Sequence, residues 1–282
     1  MPYVARSAPR CSSMARLRGF DIGGNQPANV IYATWLDSHN PVSLKIMKRY
    51  SMNDVLHIGF LIFPKVTQLD LTGPAQVLSR VSGANVHLVW KSIEPLLTDV
   101  GFTINPTVTF EKCPQLDVLC VPGGFGVVEQ LNDAETLEFL RAQGRAARYV
   151  TSVCNGSLLL GAAGLIDGYK SACHWMWRHY LPQFGAEPVA ARVVRDRNRF
   201  SGAGVTSGID FAFTLASELA GEEAARMIQL LLEYDPQPPF DCGSPEKAGA
   251  ERVRRARSAQ EPSIQEVEAQ IARAALRLSP QH

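Results

Sequence analysis

The sequence predicts an α/β fold in which helices cover both faces of a mostly parallel central sheet. Four short runs, VLHIGFLIF, NVHLVW, LDVLCVPGG and RYVTSVC, are almost uniformly apolar, as strands buried on both faces are. Segments with helical spacing, such as DAETLEFLRAQGRAA, lie between these runs or follow them. Short apolar strands that alternate with helices are typical of a parallel sheet, whose ligands gather at the carboxyl ends of the strands.

The chain divides into three predicted parts. Residues 1–53 form a basic extension with no acidic residue before Asp21, and we expect it to be disordered or to reflect a start codon assigned upstream of Met52. An Arg-rich, Ser-rich and acid-poor stretch is also how an organelle transit peptide reads. Residues 54–245 are the predicted catalytic domain, and residues 246–282 a tail with a surface or dimer-packing helix.

The end of the predicted domain follows from local composition. ARVVRDRNRFSG has the character of a hairpin, and a helix follows that carries Asp210, Phe211 and Leu215. DPQPPFDCGSP, residues 235–245, is too rich in proline for a core element, so we end the compact domain there.

Composition limits the classes of partner. A net charge of +1 gives no strong field toward nucleic acid or an anionic membrane, and no apolar run reaches the roughly 18 residues of a membrane span. The six cysteines form no CxxC pair and no disulfide framework. We therefore expect a soluble protein of a reducing cytoplasm, with no metal, nucleic-acid or membrane partner.

Cys154 is the strongest candidate for chemistry. It ends the run RYVTSVC, and the chain then turns at once into a helical pattern through Asn155, Gly156 and Ser157. A nucleophile at a sharp strand-to-helix turn among small residues is an elbow, here with cysteine in place of serine. The N-terminal end of a helix favours thiolate, so we expect a lowered pKa and a reactive sulfur, against the commoner case of a small buried hydrophobe.

Two further segments end at the same predicted sheet edge. VPGG follows a strand, and we expect backbone N–H groups of Gly123, Gly124 and Asn155 to stabilise developing negative charge. Asp70 follows the first strand and either caps the next helix or reaches Cys154 as a proton donor and acceptor, in which case its pKa should be raised.

Other candidates are less sharply defined. His174, after the elbow helix, either contacts substrate or is a structural histidine, and Trp175 and Phe125 are apolar candidates for substrate binding. Cys120 lies in the middle of a predicted strand, and Cys113 and Cys173 lack an elbow, so we expect all three to be structural.

Five segments together resemble the DJ-1/PfpI superfamily, and within it the isonitrile hydratases. They are IGFLIFPKVTQLDLTGP, LDVLCVPGGFGV, RYVTSVCNGSLLLGAAGL, HWMWRHYLP and GVTSGIDFAFTLASEL, and the similarity runs from about residue 55 to residue 245. The resemblance implies a flavodoxin-like three-layer sandwich, a homodimer, and no metal or organic cofactor. It also implies hydration of a small hydrophobic isonitrile to an N-substituted formamide, through a thioimidate on Cys154 with Asp70 as acid and base.

One residue departs from the resemblance. Isonitrile hydratases typically carry threonine after the nucleophile, where this chain has Asn155, so a hydroxyl that relays protons is replaced by an amide. Two alternatives therefore stay open: a glyoxalase-like or deglycase-like enzyme that acts on dicarbonyls, and a redox or ligand sensor without turnover.

Overall fold

A computed structural model describes residues 55–278 of the chain. The basic extension, residues 1–53, lies outside the described residues. The strands are β1 (Leu56–Leu61), β2 (Ala84–Trp90), β3 (Leu96–Leu97), β4 (Thr103–Ile104), β5 (Val108–Thr109), β6 (Val118–Val121), β7 (Tyr149–Val153), β8 (Lys170–Ser171), β9 (Glu187–Pro188), β10 (Val193–Asp196) and β11 (Arg199–Gly202). The helices are α1 (Gln68–Leu78), α2 (Val127–Gln130), α3 (Ala134–Ala146), α4 (Gly156–Ala162), α5 (Ser207–Ala220), α6 (Glu222–Leu231), α7 (Pro245–Ala248), α8 (Ala250–Ala259) and α9 (Glu261–Leu278), with a 3-10 helix at Arg178–Phe184.

The central sheet has seven strands in the order β10-β11-β7-β6-β1-β2-β5. All neighbouring strands are parallel except β10 and β11, which form the predicted hairpin. The three central strands β7, β6 and β1 consist mostly of buried apolar residues, because helices cover both faces of the sheet. The predicted α/β class with a mostly parallel sheet is confirmed.

The topology brings three loops to one place. From β1 the chain moves outward through α1 to β2, and later returns to the other side of β1 as β6 and β7. Right-handed crossovers in opposite directions place α1 and α3 on opposite faces, and α5 packs beside α1. The reversal of strand order between β1 and β6 is the switch point at which such sheets bind ligands.

The C-terminal helix α9 packs on the domain instead of forming a separate tail. Val267, Ile271 and Ala274 are buried against α2, α4 and the 3-10 helix. The hydroxyl of Tyr180 donates a hydrogen bond to Glu268, which joins the 3-10 helix to α9. The chain's own domain therefore covers the apolar stripe of α9. The proline-rich segment 235–245 is mostly exposed, as its composition predicts.

The burial of α9 yields a first prediction. Ile271→Ala removes a fully buried side chain at the centre of the helix, so we expect the free energy of unfolding to fall by about 2 to 4 kcal/mol. Leu276→Ala on the same helix is the matched control, because Leu276 is 74% exposed and its loss should cost little. Urea unfolding measures both; equal effects of the two substitutions would contradict the packing of α9.

Candidate active site

Cys154 occupies a tightly held turn between β7 and α4. Its φ angle is +59°, a left-handed conformation that is uncommon for any residue other than glycine. Its N–H donates to the carbonyl of Gly202 at 3.1 Å, and its carbonyl accepts from the His174 N–H at 3.3 Å and the Ser157 hydroxyl at 3.2 Å. These three hydrogen bonds hold the strained backbone, and the residue is 8% exposed at the sheet edge.

Asp70 lies in the first turn of α1, but its carboxyl group does not cap that helix. The Oδ2 atom accepts a hydrogen bond from the N–H of Gly123 at 2.9 Å, across the switch point. The Oδ1 atom is buried and has no hydrogen-bond partner among the described residues. The helix N-terminus is instead capped from another loop, where Asp99 Oδ1 accepts from the Gln68 N–H at 3.1 Å.

The environment of Asp70 raises its pKa to about 7. Burial is the main cause, since a carboxylate that is removed from water is destabilised. The Gly123 N–H counteracts this by stabilising the charged form, the negative charge of Asp99 raises the pKa further, and the neighbouring Cys154 thiol lowers it. The prediction of a raised pKa agrees in direction, but burial and not a neighbouring thiolate is the leading cause.

The prediction of a lowered pKa for Cys154 is wrong for the resting site. Burial raises the pKa of the thiol well above its usual range, and the adjacent Asp70 carboxylate and Cys173 sulfur raise it further. The backbone N–H of Asn155 favours the thiolate, but it does not offset the loss of water. The resting pair is therefore a neutral thiol beside a carboxyl group that titrates near neutral pH.

The glycine turn after β6 is fully engaged by neighbouring groups. Gly123 donates to Asp70, while the N–H of Gly124 donates to Asn155 Oδ1 at 2.8 Å. The Asn155 Nδ2 atom returns a hydrogen bond to the Gly124 carbonyl at 3.1 Å. Side chains therefore already occupy the Gly123 and Gly124 N–H groups in the resting site, whereas the Asn155 N–H is directed at the sulfur.

The remaining candidates have different surroundings. His174 is joined to Cys154 through its backbone, burial lowers the pKa of its imidazole, and its Nδ1 atom accepts from the Met176 N–H at 3.4 Å. Trp175 lines a cavity of about 220 Å³ together with residues of α7 and α8. Phe125 is 55% exposed on the glycine turn.

Sequence reasoning missed two neighbours of the Asp70–Cys154 pair. Asp99 lies on the hairpin formed by β3 and β4, which has no recognisable motif and whose short strands carry little periodicity. Cys173 is fully buried and lies close enough to Cys154 to raise the pKa of its thiol. The two cysteines are distant in sequence, so only the folded structure shows that they are neighbours. Among the described residues, no group of three or more histidine, cysteine, aspartate or glutamate side chains is arranged to hold a metal ion.

The residues of this site lie within a segment that matches a known protein family. The sequence profile of the DJ-1/PfpI family matches residues 57–218, a span that contains Asp70, the glycine turn and Cys154. The chain belongs to the DJ-1/PfpI family. No described helix of this DJ-1/PfpI protein is both long and apolar enough to cross a membrane.

Individual relatives show which DJ-1/PfpI proteins the chain resembles. The chain is 55% identical to an isonitrile hydratase of Pseudomonas putida, over 74% of this chain and 92% of the relative. It is 30% identical to the HTH-type transcriptional regulator GbdR of Pseudomonas aeruginosa, over 63% of this chain and 50% of the regulator. A crystal structure of a ThiJ/PfpI family protein from Pseudomonas syringae superposes with a TM-score of 0.78 at 41% identity, over 86% of this chain and 99% of that one. The predicted resemblance to the superfamily and to isonitrile hydratase is confirmed.

The raised pKa of Asp70 gives a prediction about stability. Its folded pKa of about 7 exceeds the ordinary value of 3.8, so this group makes the fold less stable as pH rises between these values. Asp70→Asn removes the charge, and we expect the variant to be more stable than wild type near pH 8 by up to about 4 kcal/mol. Near pH 4 the advantage should largely disappear.

Urea unfolding at both pH values measures this difference. The exposed Asp235 provides the matched control, because Asp235→Asn removes a carboxylate that stays in water. An Asp70→Asn advantage of the same size at both pH values would contradict burial as the cause.

Proposed function

We propose that this protein hydrates an isonitrile to an N-substituted formamide, with Cys154 as nucleophile and Asp70 as proton donor and acceptor. The observation that carries the proposal is the buried pair itself, a neutral thiol beside a carboxyl group with a pKa of about 7. The 55% identity to an isonitrile hydratase supports the choice of substrate class. An isonitrile carbon must gain both a nucleophile and a proton, and the pair supplies both.

The first step uses one proton that the pair holds in common. The Asp70 carboxylate takes the proton of the Cys154 thiol, and the sulfur attacks the terminal isonitrile carbon. A carbon–sulfur bond forms, and the carbon takes the proton from Asp70, which gives a thioimidate bound to Cys154. Two modest barriers then replace one large barrier to direct addition of water.

The second step returns the enzyme to its resting state. Asp70, again a carboxylate, accepts a proton from water as the oxygen adds to the thioimidate carbon, and it then passes that proton to the nitrogen. The carbon–sulfur bond then breaks, the hydroxyl proton returns to the thiol–carboxyl pair, and the formamide leaves. Atoms balance, since one isonitrile and one water give one formamide.

The surroundings suit a small, weakly polar substrate. His174 stays neutral because burial lowers its pKa, and it therefore adds no charge beside the sulfur. We propose that His174 and the exposed ring of Phe125 contact the substituent on the isonitrile nitrogen. From the resemblance we also propose a cytoplasmic homodimer that acts without a cofactor, nucleic acid or membrane.

Turnover of cyclohexyl isocyanide tests the proposed reaction. We expect purified protein to release N-cyclohexylformamide, and Cys154→Ser to lose at least about a thousandfold in kcat because the thioimidate cannot form readily. Cys242→Ser is the matched control, since Cys242 is an exposed cysteine and its loss should leave turnover unchanged. Formamide production by wild type that Cys154→Ser does not reduce would refute a cysteine nucleophile.

The pH dependence tests the role of Asp70. The reactive form needs the Asp70 carboxylate to accept the thiol proton, so kcat/KM should rise as pH increases through about 7 and then level off. Asp70→Asn should lose this step together with most of the activity. His174→Gln is the control and should keep the step, whereas a step that disappears with His174 would assign the titration to the imidazole.

A further inference from the structure

The Asn155 side chain pairs with the glycine turn as a peptide group would. Its Oδ1 atom accepts from the Gly124 N–H at 2.8 Å, and its Nδ2 atom donates to the Gly124 carbonyl at 3.1 Å. The neighbouring Gly123 is also engaged on both sides, since its N–H donates to Asp70 and its carbonyl accepts from the Thr67 N–H at 2.9 Å. Neither glycine therefore has a backbone N–H available to a substrate.

Packing fixes the Asn155 amide in this position. A Cβ atom on Gly123 would lie 2.3 Å from Asn155 Oδ1 and 2.8 Å from the Cys154 Cβ atom, so amide, turn and nucleophile touch one another. Asn155 is 5% exposed, and Gly124 has a φ of +137°, with the Lys65 carbonyl 2.5 Å from where its Cβ would lie. This close packing keeps the glycine turn from moving away from Asn155, so the Gly124 N–H stays engaged.

An occupied N–H affects two classes of substrate differently. When a thiolate attacks a carbonyl, the carbon–sulfur bond forms as the π electrons move to oxygen, and the resulting alkoxide needs a nearby donor. When it attacks an isonitrile, the carbon itself takes a proton from Asp70, and the substrate has no oxygen. Engagement of the Gly124 N–H thus hinders the first reaction and leaves the first step of the second unaffected.

We propose that Asn155 is a specificity-determining residue that closes the oxyanion position beside Cys154 and so disfavours carbonyl substrates relative to isonitriles. The inference rests on the proposed reaction at Cys154 and assigns its selectivity to one amide. It also gives a role to the residue at which the chain departs from the threonine of similar sequences. An amide carries its donor and acceptor on separate atoms and reaches one bond further than a hydroxyl, so it pairs with both polar groups of Gly124.

Substitutions at Asn155 test the closure with methylglyoxal as the carbonyl probe. Asn155→Ala removes the amide and frees the Gly124 N–H, so we expect kcat/KM for methylglyoxal to rise at least about tenfold over wild type. Asn155→Asp keeps an acceptor for that N–H and should show no such rise. Asn132→Ala, which removes an amide held by Gln270, is the matched control and should change neither substrate's rate.

The outcomes separate this inference from the proposed reaction. A gain with methylglyoxal in Asn155→Ala that is absent in Asn155→Asp supports the closure. No gain in a folded Asn155→Ala that still hydrates cyclohexyl isocyanide overturns the closure alone. Wild type that converts methylglyoxal and not cyclohexyl isocyanide overturns both. If Asn155→Ala fails to fold, Asn155→Ser provides the same test, because its hydroxyl is one bond shorter than the amide oxygen, and again no gain overturns the closure.

Discussion

Two acids that are buried side by side, and that cannot both lose their protons near neutral pH, govern this site. Water is excluded from the Asp70 carboxyl group and from the Cys154 thiol, so each charge is costly, and each charge makes the other costlier. The pair therefore disfavours the state in which the carboxyl group and the thiol are both charged. In the proposed reaction, Cys154 as nucleophile and Asp70 as proton source are therefore ready at the same carbon.

The sheet topology makes this pairing possible. Asp70 follows β1, the glycine turn follows β6 and Cys154 follows β7, so three segments distant in sequence meet where the strand order reverses. The turn connects the loops, because Gly123 holds the Asp70 carboxyl group and Gly124 holds Asn155, the residue after Cys154. Side chains larger than hydrogen would separate the three loops by colliding with backbone atoms.

The sequence predicted the parts of the molecule that depend on local pattern. Apolar runs predicted β1, β6 and β7, because a buried strand needs apolar residues. The small residues after Cys154 predicted the elbow, because a tight turn needs small side chains. The pKa of Cys154 was not predictable, since helix termini and burial act in opposite directions and only packing decides between them. The engagement of Gly124 by Asn155, the position of Asp99 and the docking of α9 each depend on contacts between segments far apart in the chain.

The left-handed backbone of Cys154 has a consequence for protein engineering. Such a conformation costs a residue with a side chain of order 1–3 kcal/mol, whereas glycine adopts it freely. A library sorted only for resistance to heat would accumulate glycine at position 154, improving the fold while discarding the sulfur. Directed evolution of this scaffold thus needs a selection for turnover in every round.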